Sequence, residues 1–136
     1  MKVLMWIWQL PQNLLGLLVI LFTRARKQTT GYWEFYDGQR LQEWILPKKY
    51  RFGVSLGNFI IVSDGSGSKT IRHEWGHQRQ SLRLGWLYLV VIGLPSAAGN
   101  LWDRFMHINW SNDRRIEWYY SQHWERWADK LGGVER

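Results

Sequence analysis

The residues with the clearest capacity for chemistry lie in RHEWGHQRQS, positions 72–81. His73 and His77 stand four apart, and a helix puts such a pair on one face, one turn apart. Two imidazoles so placed can bind one metal ion. Glu74 is rotated by about 100° around the helix and flanks that ion. From there it can hold a water molecule and take its proton. Two ligands plus a general base is the logic of the HExxH motif. The plainer alternative is a surface helix whose histidines are merely solvated.

A catalytic zinc wants a third protein ligand and one position left for water. The chain has no cysteine, so the donor must come from His, Asp or Glu. Downstream candidates are His107, His123, Glu117, Glu125 and Asp129. Glu125 and Asp129 share a face in ERWAD, so Glu125 could reach the metal while Asp129 accepts the N–H of a ligand histidine. Two acids on a solvated helix face is the competing view, but Trp124, Trp127 and Ala128 around them point to a packed helix. Tyr119, Tyr120 and His123 are candidate donors to the oxyanion of an attacked carbonyl.

HEWGH followed by an ExxxD helix is similar to the gluzincin branch of zinc metallopeptidases. Within that branch, LPQNLLGLL, RHEWGHQRQSLRLGWLYLVVIGLPS and ERWADKLGGV resemble a family of small uncharacterised bacterial proteins. The resemblance covers most of the chain. It implies a zincin-like fold, with His73, His77 and Glu125 as Zn2+ ligands, Glu74 as the base, and Asp129 behind a ligand histidine. It also implies an edge strand that pairs with an extended substrate, for which Phe59, Ile60 and Ile61 are the candidates. Relatives are expected to carry a tyrosine near position 123, where this chain has His123.

The elements that must hold these residues follow from the patterning. Phe52, Val54 and Leu56 alternate, Gly57–Asn58 is a turn, and residues 59–62 are a short apolar run: strand, turn, strand. A Gly/Ser loop then leads to the motif helix, with Ser68 or Thr70 as its cap, running to about Leu84 and stopped by Gly85. A further turn is expected at Asp37–Gly38, and one long helix over residues 114–131, closed by Gly132–Gly133. The expected class is α+β: a small antiparallel sheet packed on the HExxH helix and the C-terminal ligand helix, with hydrophobic N-terminal and central helices.

With 136 residues there is room for one domain. Residues 1–27 read as a hydrophobic anchor and residues 28–136 as the metallopeptidase domain, including a hydrophobic segment at 84–102. The run 3–22 is about one bilayer long, but Gln9, Pro11, Gln12 and Asn13 interrupt it. It therefore reads as a kinked span or a helix lying in the interface. Arg24, Arg26 and Lys27 would hold its end on the cytoplasmic side of a bacterial inner membrane. The apolar run 86–94 is too short to span, and a single crossing there would separate Glu125 from the histidines. Residues 95–99, with Pro95 and Gly99, are expected to break it, and residues 100–113 to be irregular.

A net charge of +7 with eleven tryptophans fits a membrane surface or nucleic acid. Dispersed Lys and Arg and the lack of any nucleic-acid motif rank the second low. The expected function is a membrane-associated zinc metallopeptidase, in which a zinc-activated water and Glu74 hydrolyse peptide or protein substrates. The alternative is a non-enzymatic membrane-surface protein with a structural or vestigial zinc site.

Overall fold

The computed structural model describes residues 2–28 and 42–136. Six helices and four strands occur among them: α1 (Lys2–Trp8), α2 (Leu10–Thr23), β1 (Arg26–Lys27), β2 (Gln42–Ile45), β3 (Gly53–Leu56), β4 (Phe59–Val62), α3 (Ser68–Leu84), α4 (Leu94–Met106), α5 (Asn112–Ser121) and α6 (His123–Gly132). The class is α+β. The turn expected at Asp37–Gly38 lies outside the described residues.

The sheet is mixed, not antiparallel. Its order is β1-β2-β4-β3, and β2 pairs parallel with β4, Gln42 opposite Phe59 and Ile45 opposite Val62. The β3–β4 hairpin is antiparallel around the Gly57–Asn58 turn, and β1 is antiparallel to β2. β4 is buried along its whole length, because alternate side chains face different layers. Phe59 and Ile61 pack with Ala25, Leu46 and the α2 residues Val19 and Ile20. Ile60 and Val62 pack against Trp75 of α3. The sheet thus lies between α2 and α3.

The same packing explains the polar residues that interrupt the first apolar run. Gln9, Gln12 and Asn13 are fully buried. Gln12 Nε2 donates to Ser81 Oγ and to the Gly85 carbonyl, Ser81 Oγ donates to Gln9 Oε1, and Asn13 Oδ1 accepts the Asn58 N–H. They clamp the start of α2 to the β-hairpin and to the end of α3. All three side chains gain partners for the water they give up, although Gln12 Oε1 is left without one. The opposite sides of α1 and α2 are bare, with Val3, Leu4, Leu14, Leu17, Leu21 and Phe22 exposed. Among the described residues no single helix is long and apolar enough to cross a membrane.

After α3 the chain stays helical where a break is expected. A 3-10 turn (Gly85–Leu87) and a π turn (Leu89–Gly93) lead into α4, and the runs Ser68–Leu87 and Leu89–Met106 meet at a bend of 120°. Pro95 is the second residue of α4, directly after the π turn, and the run stays helical through it. The expected single helix over 114–131 is instead two. Gln122, at φ −60° and ψ 141°, separates α5 from α6. That corner frees α6 to lie along α3 independently of α5.

Candidate metal centre

The site is built where α6 crosses α3, at very close range. A Cβ at Gly76 would come within 1.8 Å of the Ala128 carbonyl oxygen, and one at Gly132 within 2.0 Å of the Arg72 oxygen. The Gly inside HEWGH is therefore the contact point that lets Glu125 approach both histidines.

His73 Nε2 lies 2.9 Å and His77 Nε2 3.0 Å from Glu125 Oε2. The three donor atoms lie within 4.8 Å of one another, and all three residues are buried. This buried His-His-Glu group could hold a metal ion. The outer atoms of the cluster say why a cation suits it. His73 Nδ1 is 2.7 Å from Asp129 Oδ1, and His77 Nδ1 is 2.7 Å from Gln80 Oε1. Gln80 Nε2 donates to the Trp124 carbonyl, which fixes the amide so that its oxygen faces the ring. Each imidazole thus commits a proton to Nδ1 and turns Nε2 inward. Two ring nitrogens and a carboxylate oxygen then converge at distances that a proton on Nε2, or a metal ion in its place, can bridge.

The remaining contacts steady this arrangement. Ser96 Oγ donates to Glu125 Oε1, and the Tyr119 hydroxyl lies 3.1 Å from the same Ser96 oxygen. Arg136 donates to both oxygens of Asp129 and stacks on the Tyr120 ring, 3.3 Å from its centroid. The Tyr120 ring meets His73 edge to face at 4.9 Å.

Charge shapes the protonation states. Burial opposes a charge on His73, but hydrogen bonds to Asp129 and Glu125 outweigh it and raise its pKa to about 9. Burial likewise opposes ionisation of Glu125 and Asp129, yet their partners hold both below the usual carboxylate range. Glu74 differs: burial pushes its carboxyl up, against the pull of His77 and His73. It lies against the edge of the sheet, where a Cβ at Gly53 would sit 3.0 Å from Glu74 Oε1. Burial also raises the Tyr119 phenol, so it stays protonated and able to donate.

His73, His77, Glu125, Asp129, Glu74 and Tyr120 are thus brought together. His123 is exposed on the first turn of α6, away from the cluster that Glu125 enters one half-turn later. The edge-strand assignment of Phe59, Ile60 and Ile61 needs correction. β4 is paired on both sides, by β2 and β3, so its backbone has no open edge. Among the described residues the open edge beside the site belongs to β3. Gln80 and Ser96 escaped the sequence reading. Gln80 had a signal, three residues after His77 on the same helix face. Ser96 had none, since only the bend after α3 brings it to Glu125.

No family model, no curated protein and no solved structure matches the chain.

Proposed function

We propose that this protein is a zinc-dependent peptidase of gluzincin type with a zincin-like fold, resting on a membrane through its exposed apolar surface. One observation carries the reading: two imidazoles and one carboxylate converge, with a buried Glu74 beside them that binds neither Asp129 nor Gln80. Three N/O ligands of this kind suit zinc and leave a position for a reactant. When bound, such an ion acts as a Lewis acid towards a carbonyl and acidifies water.

The chain's own groups supply the rest. Glu74, raised by burial towards the working range of a base, accepts a proton from the attacking water and delivers it to the leaving nitrogen. Tyr119, held protonated, donates to the oxygen on which negative charge develops. Asp129 and Gln80 keep the two rings in the tautomer that presents Nε2. The backbone of β3 is the surface on which an extended chain can pair. The membrane assignment is supported by bare apolar faces on α1, α2 and α4, and by Arg24, Arg26 and Lys27 at the end of α2, which favour the cytoplasmic side.

The test is metal analysis joined to turnover. One zinc per chain is expected, with peptide hydrolysis that falls about 10²–10⁴-fold in Glu74→Gln while the zinc is retained. A chain that holds no stoichiometric metal, or a Glu74→Gln variant of full activity, overturns the proposal.

A further inference from the structure

The cluster opens in two directions, one mostly apolar and the other richer in polar and charged groups. One opening, of about 690 Å³, is flanked by Leu15 and Val19 of α2, Leu56 of β3, and Leu89, Leu94 and Leu101 beyond the bend. The other, of about 390 Å³, is mixed, with Arg51, Asp103, Asn112 and Arg115 beside Phe52 and Ile116. His77 belongs to the first and His73 to the second, while Glu74 and Tyr119 line both. The two openings therefore meet at the atoms that would do the chemistry.

β3 runs through both. Residues 51–53 lie at the more polar opening and residues 52–56 along the apolar one. The two-residue turn pairs Leu56 with Phe59, so alternation directs the backbone groups of Gly53 and Ser55 to the open side of the strand. On that side the Tyr88 hydroxyl occupies the Ser55 carbonyl, so the strand edge stays open at Gly53, which is exposed. The rim of the apolar opening is itself bare: Leu15, Leu94 and Leu101 are 40 %, 65 % and 56 % exposed. It continues into the exposed apolar faces of α2 and α4.

We infer that the substrate is a polypeptide segment in which an apolar stretch gives way to a polar one, such as the membrane-proximal end of a lipid-embedded segment, and that it is cut at the changeover. This rests on the peptidase reading. The occupant follows from the continuity of the apolar opening with the bare outer surface, and from the more polar opening on the other side of Glu74. A lipid chain would fill the first opening and leave β3 and the second unused. A wholly polar chain would press its side chains against Leu56, Leu89 and Leu94 without partners.

The experiment uses the full zinc-loaded chain and two peptides, one with an apolar block joined to a polar block and one polar throughout. Binding to the Glu74→Gln protein is measured by fluorescence, and cleavage by the unmodified protein is mapped by mass spectrometry. Ala97→Trp fills the apolar opening from the exposed surface of α4, and Ala98→Trp, exposed but outside both openings, is its control. The block peptide is expected to bind at least about tenfold more tightly, the gain from burying about two methylenes, and to be cut at the block boundary. Ala97→Trp removes that preference and Ala98→Trp keeps it. Equal binding of both peptides, a preference indifferent to Ala97→Trp, or displacement of the block peptide by oleate without cleavage at the boundary overturns the inference. Failure of the peptidase reading looks different: the binding preference persists and responds to Ala97→Trp, but neither peptide is cut.

Discussion

Between α3 and α6 the buried atoms are polar, while across α1, α2 and α4 the exposed atoms are apolar. At the crossing, each of the three converging groups has a partner: His73 with Asp129, His77 with Gln80, Glu125 with Ser96. Buried polar groups are costly unless satisfied, so these pairings fix positions to a fraction of an ångström. On the outer face no side chain defines its neighbour, and Leu21, Phe22 and Phe105 are 72 %, 79 % and 75 % exposed. The difference teaches that burial was spent on a few polar atoms, while among the described residues the apolar faces of α1, α2 and α4 stay exposed.

The comparison can be broken first at the polar crossing. Asp129→Ala and Gln80→Leu each remove the acceptor behind a histidine, and each is expected to weaken zinc binding about 10–100-fold, measured by competition with a chelator. Full retention of affinity in both would mean that the pairings do not position the rings.

The close approach of the helices is the next target. Gly76→Ala drives a methyl group into the Ala128 carbonyl, so α6 must move. Overpacking of this kind is expected to cost about 1–3 kcal/mol in urea unfolding and to lower metal affinity alongside. An unchanged midpoint would show that the crossing gives way easily.

Titration sharpens the contrast further, because the outer face carries few charges. In chelated protein, the stability from raised His73 is complete below its ordinary value of 6.5 and is lost as pH rises through about 9. Glu125 and Asp129, held low, contribute fully above 4.5 and 3.8 and lose that contribution as pH falls. Thermal melts of the chelated protein are expected to peak between pH 4.5 and 6.5. Zinc competes with the His73 proton, so its affinity should climb with pH towards about 9. A melting temperature flat across this range would dissolve the pairing.

The smallest effect on folding belongs to the outer face. Leu18→Asn with Leu21→Asn should leave the folding free energy within about 0.5 kcal/mol, as exposed positions do. The same pair should reduce sedimentation with anionic vesicles. If it melts the protein as severely as Gly76→Ala, the face is packed against protein and the comparison falls.

Part of this was written into local sequence. The i, i+4 spacing of His73 and His77 needs only a helix to bring them together, and Gly57–Asn58 between apolar runs needs only a hairpin. Glu125 and Asp129 share a face for the same reason. Those features depend on helix and strand periods, which each segment carries within itself.

Tertiary structure decided the rest, because it depends on contacts between distant segments. Gln9, Gln12 and Asn13 look like flaws in a membrane span until Ser81, Gly85 and Asn58 are seen to receive them. Pro95 looks like a terminator until the π turn before it is seen to carry the helical run through. The parallel pairing of β2 with β4 moved the open edge from Phe59, Ile60 and Ile61 to β3. Ser96 reaches Glu125 only because the helical path turns by 120° after α3. The sequence alone determined which residues could be ligands and base. Only the packing of α6 onto Gly76 brought the third ligand to them, since that distance depends on two helices far apart in the chain.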